Sequence, residues 1–163
     1  MFLNGGDKPK KDISFSVYDP FNSYKESSVT NKNVCVFLGG TANPPDYRDS
    51  IIPMLKINFF NPIVDDWNEE AQRNEEKMKK ECSHSLFVIT PQMTAPFSIA
   101  EAVDLSNKNP KKVIFTVLEE WDDMSFDKGQ MRSMRAVGNM IEGNGGVVFY
   151  NFDEAVVYLN SLG

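Results

Sequence analysis

The sequence predicts an α/β fold: a doubly wound, mostly parallel, five-stranded sheet. Two observations carry that prediction. Five short apolar runs recur along the chain, at 34–38, 57–60, 85–90, 113–118 and 147–150. They lack the polar–apolar alternation of a half-exposed strand and so read as strands buried on both faces. Segments of helical composition separate them, which forces parallel pairing through right-handed crossovers. The result is a flavodoxin-like or Rossmann-like three-layer sandwich, with helices on both faces of the sheet.

Each element follows in order. Residues 1–30 are polar and rich in Ser, Lys and Asn, and within them Ile13, Phe15 and Val17 alternate with Ser14 and Ser16. That period of two suggests an extra N-terminal edge strand, or an extension, ahead of a domain spanning 31–163. The first central strand, 34–38, ends in Gly39-Gly40. Residues 46–55 suit a short helix limited by Pro53. Strand 57–60 is closed by Asn61-Pro62, and 67–82 is a charged helical stretch. Strand 85–90 stops at Pro91, helix 98–107 follows, and then strand 113–118. A helix over 128–142 ends at Gly143, the residue type that terminates helices. Strand 147–150 and an amphipathic helix over 153–162 complete the chain.

Composition narrows the function. A chain of 163 residues buries enough surface for one core without disulfide or metal staples. The net charge of −6 argues against a nucleic acid backbone as partner, since that needs a basic surface. A small nucleotide stays open. No run is long and apolar enough to span a bilayer, and the N-terminus lacks the apolar segment of a signal peptide. The expected location is the cytoplasm. Cys35 and Cys82 are the only cysteines, and they read as buried or half-buried thiols of a reducing compartment. His84 is the only histidine, so neither a metal centre nor a histidine-based triad is expected.

In doubly wound sheets ligands bind beyond the C-terminal ends of the strands. The loops at 39–43, 61–67, 91–98 and 119–123 are therefore the candidate site. Gly39, Gly40 and Asn43 lie in the first: paired glycines let a ligand approach the backbone, or simply make a tight turn. In the second, Trp67 offers a face for stacking on a base, and Asp65 or Asp66 could accept its amino protons. Alternatively one aspartate is a helix N-cap and Trp67 packs on the core. Ser98 and Glu101 have the S-x-x-E spacing of a capping box. Otherwise Glu101 points into the cleft, where a carboxylate can attack an anomeric carbon. The many acids of 67–82 read as a solvated face, with Glu76 and Lys80 an i,i+4 pair. Met124, Met131, Met134 and Met140 read as packing, and Arg132 and Arg135 as a solvated face or a phosphate contact.

Taken in order, VFLGGT with PDYRDSIIPML, then FNPIVDDW, CSHSLFVITPQMTAPFSIAEAVDLSN and KKVIFTVLEEW resemble the nucleoside 2-deoxyribosyltransferase-like proteins, especially their shorter, often phage-associated branch. The resemblance covers about 33–121 and is looser beyond. It implies a cytoplasmic enzyme, of the host cell if phage-encoded, that cleaves an N-glycosidic bond without a cofactor. Glu101 would be the nucleophile, and Glu76 the second acid, where the family carries Asp. Phe37, Gly39 and Gly40 would line the pocket, with Asp65, Asp66 and Trp67 facing the base. Phe37 replaces a family tyrosine, and Ser98 stands in a segment that departs from the family's glycine-rich one, where it could contact a hydroxyl or phosphate. Family members are often oligomers that complete the site from a neighbouring subunit, a role Gln130 or Asn139 would take here. Three activities fit: transfer of the sugar to another base, hydrolysis as an N-glycosidase, or nucleotide binding without chemistry. The implied partner is a small-molecule nucleoside or nucleotide.

Overall fold

A computed structural model describes residues 33–163. Its strands are β1 Cys35–Gly40, β2 Asn58–Phe60, β3 His84–Ile89, β4 Val113–Val117, the short pair β5 Glu120–Trp121 and β6 Met124–Ser125, and β7 Val147–Phe149. Its helices are α1 Tyr47–Ile51, α2 Glu69–Glu81, α3 Phe97–Lys108, α4 Lys128–Asn144 and α5 Phe152–Ser161. Five strands form one sheet in the order β2-β1-β3-β4-β7, parallel at every pairing. β5 and β6 make a separate antiparallel hairpin. This is the doubly wound α/β fold the sequence predicts; the candidate edge strand at 13–18 lies outside the described residues.

The uninterrupted apolar runs have a direct cause. Successive strand residues point to opposite faces, and here both faces are covered. Val36, Leu38, Leu86, Val88 and Ile114 face α1 and α5, meeting Tyr47, Ile51, Val156 and Leu159. Phe87, Ile89, Phe115 and Val117 face the other way, against Ala102 of α3 and Met131, Met134 and Ile141 of α4. Phe37 and Phe60 meet Met78 and Cys82, which α2 and its end bring over the same side. Each such side chain contributes roughly 1.5–3 kcal/mol when fully buried. Among the described residues no helix is long and apolar enough to cross a membrane.

Local differences from the sequence expectation have local causes. Helix 46–55 divides: Asp46 caps α1, and Pro53 takes an early position in the 3-10 turn Ile52–Met54. α4 continues through Gly143 and stops at Gly145, whose φ of 102° is left-handed. Gly145 and Gly146 donate back to Glu142 and Ile141, which closes the helix. The loop 119–123 holds β5, and β6 follows directly after it; strands of two residues each are too short to show a period.

Gly40 ends β1 at φ +107°, and a Cβ there would run into the Val88 backbone. Gly143, by contrast, faces open space. Gly40→Ala should therefore cost at least about 2 kcal/mol, while Gly143→Ala should be neutral or stabilise by about 0.5 kcal/mol. Urea unfolding of the two variants checks the contrast.

Candidate active site

The end of β1 is held from inside the protein. Arg48, only 2% exposed, donates to Leu38 O at 3.0 and 2.8 Å and to Thr41 O at 3.0 Å, and pairs with Asp46 at 2.9 Å. The Tyr47 hydroxyl donates to Gly39 O at 2.6 Å. Burial pushes Tyr47 up to about 12, against the opposing pull of the Arg48 charge. The glycines therefore serve first to bring β1 close to β3. Thr41 N donates to Val88 O at 2.8 Å, and Thr41 Oγ1 accepts from Thr90 N at 3.1 Å.

That closeness positions α3. Its N-cap is Pro96, which caps with no side chain. The Pro96 carbonyl already accepts from Ile99 N and Ala100 N, so the helix begins before Ser98. The capping-box reading of Ser98 and Glu101 is thus corrected. Ser98 sits in the first turn and donates from Oγ to Gly40 O at 3.3 Å. Glu101 lies one turn further on, with no capping duty.

Glu101 instead meets Lys79 of α2. Lys79 Nζ donates to Glu101 Oε1 at 2.5 Å and lies 3.3 Å from Glu75 Oε1. All three side chains are 23% exposed, sheltered yet reachable. The Lys79 ammonium also stands 5.2 Å from the centre of the Phe37 ring, a favourable cation–π distance. Burial alone would lower Lys79; the Glu101 hydrogen bond and the charges of Glu101 and Glu75 outweigh it and hold the ammonium above its ordinary value.

The other candidates are placed as follows. Phe37 is 1% exposed and stacks on Phe60 at 5.8 Å, so it is the platform under Lys79 rather than a surface for a ligand. Glu76 is exposed, and Glu75 is the acid that α2 turns toward Glu101, because neighbouring helix residues point about 100° apart. Asp65, Asp66 and Trp67 are exposed on the loop before α2. Neither aspartate is the N-cap; Asn68 is, accepting from Glu70 N and Ala71 N. Trp67, at 59% exposure, does not pack on the core. Asn43 Nδ2 donates to Thr94 Oγ1 at 3.3 Å, tying the first loop to the third. Gln130 is spent on the α4 capping box with Asp127. Asn139 lines a cavity of about 520 Å³ along α4 with Lys128, Arg132 and Arg135, and none of the residues around Glu101 lines it. Neither Gln130 nor Asn139 joins the Glu101 cluster within the chain.

Sequence reasoning missed Lys79, Glu75, Tyr47 and Arg48. The last two stand in the PDYRDS segment; nothing in the sequence separates Lys79 from its charged neighbours. Among the described residues no three His, Cys, Asp or Glu side chains gather as a metal site.

A family profile described as nucleoside 2-deoxyribosyltransferase like matches residues 33–120, more than half of the chain. The chain belongs to that family. The match includes β1 to β4 and the whole Glu101–Lys79–Glu75 cluster, and ends before α4. A search of curated proteins gave no match.

The Lys79 cluster has a pH signature. A lysine held above its ordinary value of 10.5 stabilises the fold fully below that value, and the contribution is lost as pH rises through the raised one. Thermal unfolding of the wild type should fall faster on the alkaline side than that of Lys79→Met, and the two curves should converge there.

Proposed function

We propose that this member of the nucleoside 2-deoxyribosyltransferase-like family cleaves the N-glycosidic bond of a (deoxy)nucleoside or nucleotide and passes the sugar to another base through a glycosyl–glutamate intermediate. One observation carries the reading. Glu101 is a half-sheltered carboxylate one turn beyond Ser98, which bonds the last residue of β1, and its Oε1 is held by Lys79. Oε2 has no hydrogen bond to another described residue and is the oxygen free to attack.

The chemistry then balances in two steps. Glu101 Oε2 bonds to C1′ as the C1′–N bond breaks, and the base leaves with that electron pair. It takes a proton from water or from the exposed Asp65–Asp66 pair. A nitrogen of the incoming base next bonds to C1′, the ester oxygen recovers its pair, and the surplus proton goes to solvent. Both steps pass through an oxocarbenium-like state. Two carboxylates against one ammonium leave a net negative charge beside it, which favours that state. Lys79 is a positioning residue here. It fixes the Glu101 rotamer from the Phe37 platform, where the family's tyrosine hydroxyl is absent.

Water in place of the second base would make the same site a hydrolase. Incubation with a panel of deoxynucleosides and their monophosphates, with and without a free second base, separates the two. New nucleoside only when the second base is present supports transfer; free sugar without it supports hydrolysis; tight binding with no product removes the catalytic reading.

Glu101→Gln should lower turnover by about 10³-fold or more with an unchanged circular dichroism spectrum. Lys79→Met should lower kcat about 10- to 100-fold with little change in KM. Glu76→Gln should leave both unchanged. Equal losses in Glu76→Gln and Glu101→Gln would refute the assignment of roles.

A further inference from the structure

The chain's two cysteines take no part in the chemistry above. Cys35 opens β1, and Cys82 is the C-cap of α2. Both thiols are free, and their Sγ atoms lie 2.7 Å apart. The backbone beside them is fastened: Ser83 Oγ accepts from Cys35 N at 3.1 Å and donates to Cys35 O at 2.9 Å. The two sulfurs thus already lie in contact beside a fastened backbone.

The two thiols are unequal. Cys35 is half-buried and reachable, whereas Cys82 is 2% exposed. The Cys82 hydrogen bond holds Cys35 below its ordinary thiol value despite burial. The same contact, with burial, pushes Cys82 up. Lys112 sets a buried ammonium in this corner, donating to Lys79 O at 2.7 Å and Lys80 O at 3.0 Å, and its charge favours thiolate. A reachable thiol beside a cation, backed by a second thiol in contact, is the arrangement of an attacking and a resolving cysteine.

We infer that Cys35 and Cys82 form a reversible thiol–disulfide exchange site whose oxidant is a low-molecular-weight disulfide. The Cys35 thiolate attacks one sulfur of that disulfide. Its S–S bond breaks, and the departing thiolate takes up the proton Cys35 released. Cys82 then gives up its proton and attacks Cys35 Sγ, and the second small thiol leaves with that proton. Two electrons pass from the protein to the oxidant, which departs as two thiols. The new bond ties the first residue of β1 to the end of α2, one turn beyond Lys79. The inference is independent of the role given to Glu101.

The test is to equilibrate the reduced full-length chain with oxidised and reduced glutathione at graded ratios, quench in acid, alkylate the free thiols and measure intact mass. The wild type should lose both thiols together, carry no glutathione, yield a linked Cys35–Cys82 peptide and recover fully on reduction. Cys82→Ser should keep one glutathione, on Cys35. Cys35→Ser should react at least about tenfold more slowly, because its remaining thiol is buried. Cys82→Ala and Cys35→Ala replace either serine variant that does not fold, as judged by circular dichroism. Two thiols still free at the most oxidising ratio, a stable single adduct on the wild type, or only intermolecular dimers would each overturn the site.

Discussion

The close approach of β1 to β3 at Gly39-Gly40 is the constraint on which the rest of the molecule depends. A side chain at Gly40 would strike the Val88 backbone, so the two strands can meet here only because none is present. The carbonyls that end β1 are then claimed by Tyr47 and by the buried guanidinium of Arg48. Breaking a buried, fully bonded charge typically costs 3–5 kcal/mol, roughly, which makes Arg48 a structural anchor rather than a spare cation for a phosphate. With β1 fixed, Gly40 O is available to Ser98, and the first turns of α3 settle against it.

Lys79 works on a different scale. Exposed and half-exposed ion pairs contribute at most about 1 kcal/mol to stability. Its value lies in direction. One ammonium spans two carboxylates from neighbouring helices and stands over an aromatic ring. That combination leaves few rotamers for Glu101, the fixed geometry that the proposed attack on a sugar would need.

The fold was legible because its strands are buried on both faces, so their apolar runs are continuous and carry turn residues at their ends. Glu101 was legible as a site candidate through the family resemblance, whereas the S-x-x-E spacing alone favoured a capping box with Ser98 on the helix after the third run. What the spacing could not decide was whether Ser98 caps that helix. Pro96 decides it, because its carbonyl starts the ladder first. The phase of α2 was hidden as well. Its acids and lysines alternate so closely that no face looks apolar, and a slip of one residue exchanges Glu75 for Glu76. Lys79 was invisible because a lysine in a charged helix looks solvated until a second helix is laid beside it. Gly143 and Gly145 differ in backbone angle and surroundings, which composition does not record.

The rim of the site is uneven. Asn43 is bonded to Thr94, Gln92 to the Trp121 carbonyl, and the Trp121 indole to Pro45 O. The segments that follow β1, β3 and β4 are thus sewn into one unit. Among the described residues, the stretch 61–68 makes no hydrogen bond to that unit. Of the four candidate loops, the one that carries the exposed Trp67 is thus, among the described residues, the one left unstitched to its neighbours.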